Sequence, residues 1–195
     1  MPAMMPPTTF VDSNIVRQAD LNNYSTNIDT LCQINTGKKA STGVSAKPAC
    51  KLILSGNFSV PTGGATGVVT WGSAPYNNDT MWSSVNPDHM VIQTPGWYRI
   101  RAQTYWGAAT GGASPSERAT NIHLNGLLDP LNVTASSNLN MSGTASVTAQ
   151  VIAFERLTLG AAIYVGVWQN SGVAVPLKPN GSWGTWFTAS YEAPY

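Results

Sequence analysis

From Lys51 onward the chain is a succession of short apolar or alternating runs separated by turn residues. The clearest run puts Tyr98, Ile100, Ala102 and Thr104 on one face and Trp97, Arg99, Arg101 and Gln103 on the other. That period of two marks a half-buried antiparallel strand with its apolar face inward. Similar runs predict strands at Lys51–Leu54, Val68–Trp71, Met90–Gln93, Arg118–Leu124, Val147–Phe154, Ile163–Trp168 and Gly184–Tyr191. The intervening segments are turn chemistry: Pro61 with Gly63, Gly64 and Gly67, a polar loop from Gly72 to Pro87, Thr94-Pro95-Gly96, and a loop from Gly107 to Ser116. Asn125-Gly126 predicts a hairpin. Short strands at this spacing with no helical stretch between them imply an all-β antiparallel sandwich or jelly roll.

The first 50 residues carry a different pattern. Residues 1–10 are rich in Pro and Met and expected to be extended. Ala19–Ile34 predicts a helix, capped by Asp20 and ended through Gly37. Leu21, Tyr24, Ile28 and Leu31 recur at spacings of 3, 4 and 3, a narrow a/d seam on an otherwise polar helix. So short a helix with one stripe is marginal alone, so it must dock on copies of itself, on a partner, or on its own β domain. Residues 37–50, with Lys38, Lys39 and Lys47 among Gly, Ser and Thr, have linker composition. The predicted organisation is therefore an arm and helix over 1–36, a linker over 37–50 and a β domain over 51–195.

Composition narrows the functional classes. Of 195 residues only 10% are charged, against about 25% in ordinary globular proteins. Hydrophobic content is nevertheless 43%, which separates the chain from disordered ones. A net charge of +1 gives no electrostatic footprint for nucleic acid or anionic lipid. The longest greasy stretch, Leu159–Trp168, falls far short of the ~20 residues of a membrane span, so no membrane insertion is expected. MPAMMPPTTF has neither the basic nor the apolar region of a secretory signal, so the protein is expected to be made soluble and released by another route such as lysis. Cys32 and Cys50 are expected as free thiols, with a bridge between them as the alternative.

Catalytic patterns are missing. There is no G-x-S-x-G elbow, H-E-x-x-H, P-loop or helix-opening G-x-G-x-x-G. His89 and His123 stand apart, and Asp79, Asp88, Glu117, Asp129, Glu155 and Glu192 form no acid/base pattern, so neither an enzyme nor a cofactor is expected. Asn77, Asn78, Asp79 and Asp88 offer oxygen ligands for Ca²⁺, although an Asx-turn loop is the preferred reading. Sequons at Asn57, Asn78, Asn132, Asn140 and Asn180 follow from Asn and Thr abundance. The better binding candidates are aromatics in loops or at strand ends: Trp82, Trp106 and Trp183, with Trp168 and Trp186 behind them. Trp beside Asn and Asp suits stacking on sugar rings, which would fit a cell-wall glycan, whereas core or interface packing is the alternative. Trp71 and Trp97 are expected to be structural.

Several of these stretches resemble one family. Thr94-Pro95-Gly96-Trp97-Tyr98-Arg99-Ile100 resembles the P-x-G-x-Y-x-F/I strand of C1q/TNF-like jelly rolls. His123-Leu124-Asn125-Gly126, Leu157-Thr158-Leu159-Gly160 and the aromatic Thr185–Tyr191 follow in the family's order, together spanning about residues 51–193. The family's usual Asp after that last Gly is Ala161 here, so any ion-linked role of the position does not carry over. Tyr76 and Asp79-Thr80-Met81-Trp82 ahead of GWYRIRAQTYW are similar to versions found in tailed-phage virion proteins. Phe10-Val11-Asp12 and Ala19-Asp20-Leu21-Asn22 resemble the openings of phage tail and head-appendage proteins. The resemblance implies a C1q/TNF-like jelly roll with a short N-terminal helical anchor, a homotrimer, and residence in the virion. The N-terminal arm would bind other virion proteins and the head would face outward, as a minor tail or fibre protein aiding adsorption. A capsid decoration or head-fibre protein is the first alternative and a secreted C1q/TNF-like binding module the second.

Overall fold

The computed structural model describes residues 47–63, 66–113, 115–126, 132–141, 145–179 and 183–194. The helix expected at Ala19–Ile34, with Leu21, Tyr24, Ile28 and Leu31, lies outside these residues, as does Cys32. The described residues form twelve strands: β1 (Ala49–Ile53), β2 (Phe58–Val60), β3 (Gly67–Val68), β4 (Ser73–Asn77), β5 (His89–Val91), β6 (Gly96–Trp106), β7 (Ser116–Leu124), β8 (Val133–Met141), β9 (Val147–Leu157), β10 (Ala162–Gln169), β11 (Val175–Leu177) and β12 (Trp186–Ala193). The larger sheet runs β2-β11-β6-β12-β1-β4, with β9 on the other side of β6. The smaller runs β3-β10-β7-β8, with β5 also on β10. Pairing is antiparallel throughout.

The two inner faces meet in one core. Tyr98, Ile100 and Ala102 of β6, Phe187 and Ala189 of β12, and Cys50 and Leu52 of β1 bury against Ile163, Val165 and Val167 of β10 and Ile122 of β7. Trp71 stacks on Phe187 at 5.7 Å, and Tyr98 meets Tyr191 edge-on at 5.6 Å. Polar groups inside this core are mostly spoken for, as burial demands. The hydroxyls of Thr104 and Thr120 pair across the sheets at 2.6 Å. The Gln169 amide donates to the carbonyls of Val60 and Val173, and its oxygen accepts from the backbone N–H and hydroxyl of Ser171. Gly96 is required by crowding: a Cβ there would lie 2.3 Å from Tyr191 Cε2 and 2.7 Å from the Ala193 carbonyl oxygen.

Several expectations need correction. The segment Gly72–Pro87 is not all loop, because Ser73–Asn77 pairs with β1 as an edge strand despite Pro75. An edge is where a strand proline is tolerated. Three further strands, β2, β8 and β11, had no predicted counterpart. Asn125 adopts the left-handed conformation (φ 56°), and β7 and β8 do pair as a hairpin, though not across a two-residue turn. Instead residues 125–132 connect β7 to β8, while Asn125 ties to Ala162 through its N–H and its side-chain oxygen. Strand β1 begins at Ala49, inside the stretch with linker composition. Cys50 within it is a buried free thiol whose pKa burial pushes up to about 12.

Candidate functional site

The outward face of the larger sheet collects side chains that alternation alone separates by strand. Register aligns Tyr76, Lys51, Thr188, Arg101 and Ile152 in one row across β4, β1, β12, β6 and β9. The neighbouring row is Ala49, Ser190, Arg99 and Phe154, and the next on the other side is Ile53, Trp186, Gln103 and Gln150. Between these rows lies an open depression of about 320 Å³, lined by Lys51, Tyr76, Arg99, Arg101, Trp186 and Thr188 among others.

Two chemistries share this face. Toward the middle of β9 it carries an apolar cluster: Trp97 stacks on Phe154 at 5.3 Å and 9°, and Phe154 and Ile152 are 55% and 60% exposed. Toward β1 it is cationic and aromatic, with Lys51 Nζ 5.7 Å from the Trp186 ring. Lys178 sits equally far from the Tyr105 ring. Arg99 Nε meets Glu192 at 3.1 Å, an exposed pair worth little by itself. The Gln103 amide donates to the Gly184 carbonyl at 2.8 Å and accepts from Gln150 at 2.7 Å, which stiffens the floor. A broad face of rings, aliphatic groups and cations suits docking; it offers no acid/base pair in a closed cleft.

The aromatic residues singled out from the sequence scatter. Trp106 was expected to be available for binding but is fully buried at the end of β6, because the inward period of that strand continues through it. Trp82 is half-buried against the core, in a cleft of about 180 Å³ beside His89 and Gln93. Its ring N–H donates to the Pro87 carbonyl. Trp183 is 78% exposed before β12, Trp168 is half-buried on β10, and Trp186 belongs to the face above. Trp71 is buried and Trp97 half-buried.

The Asn-rich turn behaves as a turn. Asn77 exchanges hydrogen bonds with the Trp82 backbone, and Asn78 bonds Ala49 N–H and the Lys47 carbonyl. Asp79 is buried and Asp88 bonds His89 Nδ1 at 2.6 Å. Among the described residues no three His, Cys, Asp or Glu gather as metal ligands. On the outer face of the smaller sheet, register lines up His89, Tyr164 and His123. His123 is 3% exposed, and burial lowers its pKa.

Sequence reasoning missed Ile152 and Phe154. The available signal was the run Val151–Phe154, which is apolar on both faces and so marks a strand with both sides destined for cover.

No family model matches the sequence, and no curated protein does. Solved structures do match. Murine APRIL at pH 5.0 is 14% identical, with a TM-score of 0.54 over 74% of this chain and 98% of its own. The globular domain of zebrafish complement 1qA is 11% identical, with a TM-score of 0.53 over 76% and 100%. Murine APRIL at pH 8.0 gives 12% and 0.54. The chain is an antiparallel jelly roll of the C1q/TNF-like fold. At these identities the likeness establishes fold alone.

Proposed function

We propose that the protein is a homotrimeric virion protein of a tailed phage, a minor tail or fibre component whose amino-terminal arm binds other virion proteins and whose jelly-roll head faces the host. The observation that carries the trimer is the outward face of the larger sheet. Ile152 and Phe154 lie more than half exposed, Phe154 stacked on Trp97, within the run Val151–Phe154 that is apolar on both sides. Apolar surface of this kind marks an interaction site, and a closed ring of three copies covers it while removing sheet edges. The phage assignment is supported by the resemblance of the Tyr76–Trp82 and GWYRIRAQTYW segments to virion proteins. The seam Leu21, Tyr24, Ile28 and Leu31 would then bundle or dock beneath the heads. Trp183, exposed at a loop, is the side chain offered to a cell-wall glycan.

Light scattering of the full-length chain tests the trimer: about three times 20.6 kDa is expected, and a monomer would remove the reading. Deleting residues 1–36 should leave the trimer intact and abolish incorporation into particles. Retained incorporation would refute the anchor. The C1q and APRIL likeness favours, as a second reading, a C1q/TNF-like binding module with no virion role. A capsid decoration protein differs from the first only in what the arm binds, and immuno-gold labelling of particles distinguishes tail from head.

A further inference from the structure

The inward row of β7 changes character along its length. Ile122 meets the apolar core and Thr120 pairs with Thr104, but Arg118 and Ser116 carry polar groups into the far end of the same sandwich. Arg118 is wholly buried, and its Nη1 donates to the carbonyls of Gly107 at 3.0 Å and Ala145 at 3.3 Å. Its Nε and Nη2 meet no acceptor among the described residues. The guanidinium carbon lies 5.9 Å from the centroid of the Trp106 ring, whose buried Nε1 is equally without an acceptor. Ser116 Oγ, two residues along the same face, is the fourth such atom. None of the described carboxylates pairs with Arg118.

Three of these four atoms can only donate, and the fourth can. A guanidinium stays charged inside a protein, and an uncompensated interior charge is costly. We propose that the Arg118, Trp106 and Ser116 end of the core binds one small monovalent anion of halide size. Water could accept from these donors but would leave the charge uncompensated. A single negative charge balances the single guanidinium, and burial disfavours the more strongly hydrated phosphate or sulfate, which cost more to strip of water. The positive ring edge and N–H of the indole reinforce the same sign. This inference is independent of the oligomeric state.

The experiment uses the full chain. Thermal unfolding is followed while chloride replaces gluconate at constant ionic strength, and ³⁵Cl NMR linewidths are measured with excess chloride. Expected is a rise of roughly 3–5 °C per tenfold chloride above saturation, with bromide competing for the broadened signal. Arg118→Met should abolish both effects. Trp106→Phe keeps the charge but removes one donor to an anion, and should weaken the apparent affinity by about 10- to 100-fold; it serves if Arg118→Met does not fold. Stability that follows ionic strength alone, or broadening unchanged by Trp106→Phe, would overturn the proposal.

Discussion

Replacing Phe154 by Ala probes the trimer through a side chain that the isolated head leaves 55% exposed. An aromatic side chain presents roughly 200 Å², so about 110 Å² remains for an interface to cover. At ~25 cal/mol per Å² this is about 2–3 kcal/mol for each protomer. Three protomers lose it together, and the midpoint concentration of a monomer–trimer equilibrium scales as the square root of the dissociation constant. The midpoint should therefore rise about 100- to 1,000-fold. Inside the head the change removes the stack on Trp97, worth roughly 0.5–1.5 kcal/mol, and about 90 Å² of existing burial, worth about 2 kcal/mol, which a domain of ordinary stability withstands. Sedimentation velocity over a dilution series measures the midpoint, and circular dichroism at each concentration confirms the fold. A trimer whose midpoint does not move would show that this face is not the interface.

Other expectations concern the head itself. Thr104→Val strands the Thr120 hydroxyl and should cost about 1–3 kcal/mol in urea unfolding, whereas adding Thr120→Val should recover most of it. Gly96→Ala sets a Cβ against Tyr191 and the Ala193 carbonyl, and should lower Tm by several degrees; an unchanged Tm would contradict the packing. Burial holds the His123 pKa below its unfolded value of about 6.5, so below that pH the unfolded chain binds the extra proton. Stability should be full above about 6.5 and fall as the pH drops toward the folded value, and His123→Gln should flatten that part of the profile. In a Cys32→Ser background, Cys50 should resist a thiol reagent at neutral pH until the head unfolds.

The fold was legible where alternation is strong. β6, β9 and β10 announce themselves because one face meets the core at every second residue. Strand β8 was missed although Val133, Ala135, Leu139 and Met141 alternate with Thr134, Ser136, Asn138 and Asn140, because Ser137 interrupts the apolar face and the Ser- and Asn-rich text reads as turn chemistry. Strands β2 and β11 are only three residues long, and their pairing comes from neighbours distant in sequence. Trp106 looked like a loop residue because Gly107 follows it, yet the strand's inward period includes it. The cationic and aromatic face was hidden for another reason. Arg99 and Arg101 were correctly turned outward, but Lys51, Tyr76 and Trp186 reach them only through a register that no local pattern specifies.

The position of β12 has a consequence for how the head is made. It lies between β6 and β1, and the N–H of Tyr191 closes onto the Pro48 carbonyl at the start of the first strand. On a ribosome β1 emerges before the other described strands and, with only β4 beside it, must wait with its second edge unpaired until β12 is released. At roughly 5–20 residues per second that wait is about 7–30 s. Neither sheet can close around the Phe187 side chain earlier, so the head is completed only after its synthesis, and truncated products lacking β12 would be left for chaperones and proteases to clear.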